Sequence, residues 1–363
     1  MNRFWELVIY SQGAERFYCF PFLFLFKLIT PIYQFFSRRN LRRRAENCSG
    51  GYKARVISLG NITVGGTGKS PLTVWLARQF IDRGKRVVIV HSGYGRKSQD
   101  DLVIGYGEGC NFDVNQIGDE STMMAIMVPQ AGLAVGRNKK HLVKAADDRL
   151  KPDVILIDDG YQRLDIAKDL DIAVVNPLTL GLDRTGKGRR LLSAFPGGIL
   201  RESVDSLSRA DAIYVTGIEG EAGSREIKAA AGKYNSSAPV IGWRMSLTGA
   251  WLDGEFVDLE EVKKLRPLLF AGIGSYNRLK AMCRQAGIEP VDDYGFGDHM
   301  DYDKMDIEMM INLARTAEAD CYLTTAKDMV KLSPRSFDRP LYCLDLAVEP
   351  DEAVADVIGL ETV

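Results

Sequence analysis

The chain has 363 residues, 46% hydrophobic and 26% charged, which is the balance of a globular protein long enough for two domains and excludes a disordered or low-complexity one. A formal net charge of −1 hides an asymmetry: residues 1–55 hold ten Lys/Arg against three Glu, so a basic N-terminus precedes an acidic remainder. The six cysteines are scattered, with no C-x-x-C pair and no His at ligand spacing, which argues against zinc and for reduced thiols in a cytosolic compartment.

The first feature in chain order is an aromatic-rich run, Phe17 to Phe36, followed by Arg38, Arg39, Arg42, Arg43 and Arg44. A cleaved signal peptide carries its charge ahead of the apolar stretch, so that reading fails. A spanning helix needs about 20 predominantly apolar residues, and Lys27, Pro21 and Pro31 interrupt the run. An interfacial helix, with aromatics among acyl chains and arginines at anionic headgroups, fits the composition better. A spanning helix and a helix packed on its own domain remain the alternatives. Residues 1–50 are therefore expected to form a membrane-associating segment.

Residues 51–238 alternate short apolar strands with helices. Strands are expected at Arg55–Leu59, Arg86–Val90, Ala131–Val135, Asp153–Ile157, Asp171–Val175 and Asp211–Val215. Helices are expected at Lys69–Arg83, from Asp119, and over Asn138–Leu150, the first with Pro71 in its opening turn and Gly84 at its end. This pattern predicts an α/β fold, a parallel sheet covered by helices on both faces. Gly181 to Glu202 has no period and reads as a long irregular loop of the kind that serves an active site. From residue 239 a two-stranded link is expected (Val240–Trp243, Trp251–Val257). A smaller C-terminal α/β domain then follows, with apolar runs at Leu268–Ile273, Cys321–Thr324 and Leu341–Leu346 and helices near Arg278–Ala286 and Met305–Ala317.

Thr63-Val64-Gly65-Gly66-Thr67-Gly68-Lys69-Ser70-Pro71 lies between the first strand and the first helix of this block. Closely spaced glycines let backbone N–H groups turn around an anion, Lys69 reaches β/γ-phosphates, and Ser70 offers a hydroxyl to Mg²⁺, so the loop predicts a bound nucleoside triphosphate. The general pattern has Gly where this chain has Thr63. A second strand ends in Asp158-Asp159, as a Walker-B element does, and in a parallel sheet that end faces the ligand crevice. One carboxylate there suits Mg²⁺, directly or through water. Asp119 reads from spacing alone as a helix N-cap. His299, Arg137, Arg201 and Glu202 carry no assignment on spacing.

Taken together these residues resemble the tetraacyldisaccharide 4′-kinase family of lipid A biosynthesis. The shared features are the loop from Gly60-Asn61 through Pro71, Gly93-Tyr94-Gly95-Arg96, Gly118-Asp119-Glu120, and Asp158-Asp159-Gly160-Tyr161-Gln162. Leu191-Leu192, Arg201-Glu202, Phe270 to Gly274, Asp298-His299, Leu323-Thr324-Thr325 and Lys327-Asp328 continue it in family order over nearly the whole chain. The resemblance implies a P-loop kinase that moves the ATP γ-phosphate to the 4′-hydroxyl of a tetraacylated glucosamine disaccharide 1-phosphate. The place implied is the cytoplasmic face of the inner membrane, peripheral or monotopic, with two domains closing over the nucleotide.

Carried over by resemblance, Thr63 to Pro71 hold the nucleotide, Lys69 and Ser70 serve phosphate and Mg²⁺, and Asp158 and Glu202 join the metal or its waters. Asp119 deprotonates the acceptor hydroxyl with His299 as its partner. Tyr94, Arg137 and Arg201 meet the acceptor, with Asp159 and Gln162 beside them. ATP and Mg²⁺ are the expected cofactors and an acylated disaccharide lipid and the membrane surface the expected partners; neither nucleic acid nor an obligate protein partner is expected. The chain departs from the family pattern at His91-Ser92 for Ser-Arg, Arg163 and Met300 for His, and Ala326 for Glu.

The competing reading is a soluble P-loop ATPase or GTPase acting as a regulatory switch. Positioning ATPases carry a Lys before the Gly-Gly where this chain has Val64, and Thr325-Ala326-Lys327-Asp328 sets Lys beside Asp rather than two positions before it, as base reading in a GTPase requires.

Overall fold

The computed structural model describes residues 20–182, 193–217, 220–350 and 358–359. In chain order the elements are α1 (Phe20–Glu46), β1 (Arg55–Gly60), α2 (Lys69–Ile81), β2 (Val87–His91), β3 (Leu102–Ile104), α3 (Asp119–Met127), β4 (Gly132–Val135), α4 (Lys139–Leu150), β5 (Val154–Asp158) and β6 (Leu170–Val175). They continue with β7 (Ala212–Thr216), α5 (Gly220–Gly232), β8 (Val240–Leu252), β9 (Glu255–Asp258), β10 (Pro267–Ala271), α6 (Tyr276–Gln285), β11 (Asp292–Gly295), α7 (Lys304–Thr316), β12 (Cys321–Thr324) and β13 (Leu341–Pro350).

Strands β2, β4, β5, β6 and β7 are buried along their whole length because helices cover both faces, which is why they read as unbroken apolar runs. Alternate residues serve opposite faces. Val154 and Leu156 pack with Leu72, Leu76 and Phe80 of α2 and Met123 and Met124 of α3, whereas Ile155 and Ile157 pack with Leu142, Val143 and Ala146 of α4. In the C-terminal half Leu269 and Ala271 meet Leu279 and Cys283 of α6, while Leu268 and Phe270 meet Met310 and Ala314 of α7.

The thirteen strands of the described residues belong to one sheet, with β9 attached to β8 and the others in the order β11-β10-β12-β13-β8-β7-β6-β1-β5-β2-β4-β3. The expected parallel sheet is thus mixed: β3 runs antiparallel at one edge, and β13 pairs antiparallel with β8 in the middle. The boundary expected at residue 239 falls just before β8, which is parallel to β7 and binds the last strand, so the two halves share a hydrogen-bonded seam. The expected pair of strands falls on β8, thirteen residues long, and β9, which pairs antiparallel with it; β8 also carries β13.

The seam decides where the site is built. Strands β10 to β12 are parallel to β13 and therefore run opposite to β1, β2 and β5. In a flat sheet their C-terminal ends would face away from the P-loop. The β8–β13 ribbon shifts register between Asp345 and Leu346 and strands twist right-handedly, and the residues beyond β10 and β12 come back onto α3, as the contacts below show. The expected irregular loop falls partly outside the described residues, at 183–192. Of its described part, Ile199 and Leu200 lie along the P-loop.

Candidate active site

The P-loop follows β1 and is tied from inside and outside. The buried Asn61 donates its amide to Thr67 Oγ1 (3.1 Å) and the Gly65 carbonyl (3.4 Å), while Val64 N–H donates to the Ile199 carbonyl at 2.7 Å. Thr63 is buried and bridges to Leu200, which accounts for a side chain at a position where the general pattern has Gly. Gly68 has φ +85°, and a Cβ there would stand 2.7 Å from the indole of Trp243 in β8, so both backbone and space demand glycine. α2 starts at Lys69, and its N-cap Gly68 supplies no side-chain cap to the first-turn amides, the kind of helix N-terminus that receives phosphate. Lys69 Nζ lies 3.5 Å from Asp159 Oδ1.

Ser70 Oγ sits 3.4 Å from Asp158 Oδ2 and 3.5 Å from Glu120 Oε2. Asp158 is buried, and its other oxygen accepts from Thr73 Oγ1 at 3.1 Å. Burial, helped by the nearby Glu120 charge, pushes the Asp158 carboxyl above the usual carboxylate range against the pull of His91, Lys69 and Lys139. Two carboxylates and a hydroxyl drawn together from three elements form a hard oxygen donor set that fits Mg²⁺, whose charge would relieve the crowding. Glu120 carries no role in the sequence reading, where it stands only in the shared Gly118-Asp119-Glu120 motif. His91 adjoins the group, with Nε2 3.2 Å from Glu120 Oε2, and a ring nitrogen of His91 and carboxylate oxygens of Glu120 and Asp158 lie within 4.8 Å of one another.

Asp119 is the first residue of α3, not its N-cap: Gly118 occupies that place, with φ +86°. The capping reading therefore does not hold. Asp119 Oδ1 accepts the Glu120 N–H (2.8 Å), and Oδ2 accepts from His299 Nδ1 at 2.8 Å. His299 follows β11, with φ +59° and its N–H bound to the Gly272 carbonyl. Lys327 Nζ stands 3.2 Å from His299 Nε2, 2.9 Å from Asp298 Oδ1 and 3.3 Å from Glu120 Oε1. An ammonium only donates, so Nε2 is an acceptor and the ring proton sits on Nδ1, facing Asp119. Burial alone would raise the Asp119 carboxyl, but His299, Lys327 and Lys331 outweigh it and hold it below its ordinary value. Lys331 Nζ, 3.8 Å from Asp119 Oδ2, carried no assignment in the sequence.

The remaining residues divide by position. Asp159, with φ +52°, accepts from Arg201 at 3.1 Å, and Lys69, Arg201 and Lys139 overcome its burial to hold its carboxyl well below the usual range. Tyr94 is 65% exposed, and its ring lies tilted at 55° to that of His299, with centroids 4.7 Å apart. Arg137 is exposed just beyond β4. Gln162 donates to the Asn61 carbonyl and to Glu202 Oε1, both at 2.8 Å. Glu202 is also bound by Arg209 at 2.8 Å through both oxygens, and it is not part of the His91–Glu120–Asp158 cluster.

One face of α1 packs on this assembly. Thr30 Oγ1 donates to the Phe26 carbonyl and accepts the Gly197 N–H, Tyr33 packs edge-on to Phe195, and Arg44 donates to the Gln162 carbonyl. Leu28, Ile29, Ile32, Phe35 and Phe36 are exposed, and at about 100° per residue they form one stripe that exposed Arg39 and Arg43 continue. No helix among the described residues is long and apolar enough to cross a membrane.

The profile of a family described as tetraacyldisaccharide-1-P 4′-kinase matches residues 16–360. The tetraacyldisaccharide 4′-kinase of Halothermothrix orenii is 32% identical over 330 residues, covering 86% of this chain and 83% of its own. That of Geobacter sulfurreducens is 34% identical over 302 residues, covering 81% and 80%. A crystal structure of LpxK from Aquifex aeolicus in complex with ATP superposes with a TM-score of 0.71 over 92% of this chain and 96% of that one, and at 24% identity it speaks for the fold. The chain belongs to the tetraacyldisaccharide 4′-kinase family.

Proposed function

We propose that this chain is an ATP- and Mg²⁺-dependent kinase that phosphorylates the 4′-hydroxyl of a tetraacylated glucosamine disaccharide 1-phosphate at the cytoplasmic face of the inner membrane. One observation carries the reading beyond family membership. The consecutive residues Asp119 and Glu120 turn opposite ways, Asp119 to His299 and Glu120 to Ser70 and Asp158. A proton acceptor and a cation ligand one residue apart hold an acceptor hydroxyl and a nucleotide phosphate within bonding reach.

The P-loop amides and Lys69 bind the β- and γ-phosphates, Lys69 leaving Asp159 to do so. Ser70, Asp158 and Glu120 would hold Mg²⁺, which would supply neutralisation of the phosphate charge. Asp119 takes the proton of the 4′-hydroxyl as that oxygen bonds to the γ-phosphorus and the bond to the ADP oxygen breaks. His299, donating from Nδ1, fixes the orientation of the carboxylate and stabilises it until the transfer. Tyr94 and Arg137 meet the acceptor headgroup from the open side, with Arg201, Asp159 and Gln162 behind it. The blocks before and after residue 239 act as domains that close over the nucleotide, and the exposed stripe of α1 lies on the membrane.

The test is phosphorylation of purified acceptor lipid by labelled ATP, separated by thin-layer chromatography. Lys69→Ala is expected to lose at least about 10²-fold in turnover, the scale of one preorganised charge at the transferring group. Undiminished transfer in that variant would overturn the assignment, and equal nucleotide hydrolysis with and without acceptor would favour a switch instead.

A further inference from the structure

His91 closes β2, beside Asp158 at the end of the neighbouring β5, and its ring is buried. The N–H of buried Gly93 donates to Nδ1 at 3.0 Å, so Nδ1 bears a lone pair and the ring proton is on Nε2. Ser121 Oγ lies 2.8 Å from the same atom. Nε2 faces Glu120 Oε2 at 3.2 Å and Asp158 Oδ2 at 3.6 Å. A metal bond at Nε2 would require the proton on Nδ1 and would strip the Gly93 N–H of its acceptor.

We propose that His91 is a positioning residue for the divalent cation: its Nε2–H holds the Glu120 and Asp158 carboxylates at ligand spacing while the ring stays outside the coordination sphere. This rests on the reading of Ser70, Asp158 and Glu120 as the Mg²⁺ ligands. The buried Asp158 and half-buried Glu120 carboxylates repel, and a donor placed between them offsets that repulsion and fixes which lone pairs face the cation. Each oxygen keeps a second lone pair for the metal. The residue acts on how well the cation is held and leaves the nucleotide contacts of the P-loop untouched.

The experiment uses the full-length protein with its three histidines labelled with ¹⁵N. Long-range ¹⁵N NMR of the Mg²⁺ form is expected to put the His91 proton on Nε2. Pulsed EPR of Mn²⁺ with a non-hydrolysable ATP analogue is expected to show no directly bonded ¹⁵N; strong bonded coupling makes His91 a ligand and overturns the proposal. Mn²⁺ affinity should fall about tenfold in His91→Phe, the usual scale for an outer-shell partner, and return to within about threefold in His91→Gln, whose amide N–H replaces Nε2–H. Metal-free nucleotide affinity should stay level. Equal Mn²⁺ affinity in wild type and His91→Phe overturns the proposal, and if that variant fails to fold the EPR result on wild type decides. Asp158→Asn separates the two layers: it should abolish Mn²⁺ binding, and if it does not, the cation site itself is misassigned whatever His91 does.

Discussion

Asp119 and His299 are 180 positions apart and share a 2.8 Å hydrogen bond that crosses from one block of the sheet to the other. A carboxylate held this way, with its ordinary affinity for protons reduced by His299, Lys327 and Lys331 despite burial, is ionised at neutral pH and ready to accept.

Asp119→Asn keeps the size of the side chain and can still accept a hydrogen bond, and the helix cap is Gly118, so α3 does not depend on this carboxylate. Turnover is expected to fall by about 10²–10⁴, the range for a general base, with ATP affinity and melting temperature nearly unchanged. A variant that melts early and keeps near-normal turnover once folded would move the base elsewhere.

Lys327 fixes the tautomer that makes His299 useful. Without a donor at Nε2 the imidazole proton can move there and leave Nδ1 facing Asp119 as a second acceptor. Lys327→Met is therefore expected to cost about tenfold or more in kcat, since a hydrogen bond involving a charged group is worth about 1.5–3 kcal/mol, while the KM for ATP moves less. Lys327→Arg should recover part of the loss. An unchanged kcat in the Met variant would mean that Asp298 and Gly272 orient His299 on their own.

The P-loop and the acidic end of β5 were legible because each is a local pattern in which strand, turn and helix follow within a few residues. The pairing of Asp119 with His299 was available only through resemblance, because spacing assigned Asp119 to a cap and the contact depends on the β8–β13 seam. His91 and Glu120 were missed for a related reason. What joins them to Asp158 is the lateral order of β2 and β5 and the entry of α3, neither of which one sequence displays. Helix α5, rich in Gly and Ala (Gly220–Gly232), and strand β11, four residues with two acids, have weak intrinsic signals and are fixed by tertiary partners.

Asp159 gives a pH-dependent test. Its carboxyl is held below the ordinary range by Lys69, Arg201 and Lys139 in spite of burial, so the folded state binds a proton less readily than the unfolded chain. Such a group contributes stability that is fully present above the unfolded aspartate pKa of about 3.9 and is lost as pH falls through the lower folded value. The gap in melting temperature between wild type and Asp159→Asn should be constant from about pH 5 to 8 and shrink from about pH 4 downward. A gap that widens in acid would show that the three cations do not hold the carboxylate in solution.

The two faces of α1 predict separable effects. Thr30 accepts the Gly197 N–H and is buried, so Thr30→Val leaves that amide without its partner and should cost about 1–3 kcal/mol of stability. Vesicle binding should change little, because the exposed stripe is untouched. Phe35 and Phe36 are exposed, and replacing both with Ser should leave the melting temperature alone while weakening co-sedimentation with anionic vesicles. Arg39 and Arg43 extend the same stripe, and each arginine near an anionic surface is worth about 1 kcal/mol, so the double Gln variant should lose roughly tenfold or more in vesicle affinity, with a steeper loss in wild type as salt rises. If the Phe and Arg variants sediment like wild type, the stripe faces something other than a bilayer and the acceptor lipid is met without an anchor at this helix.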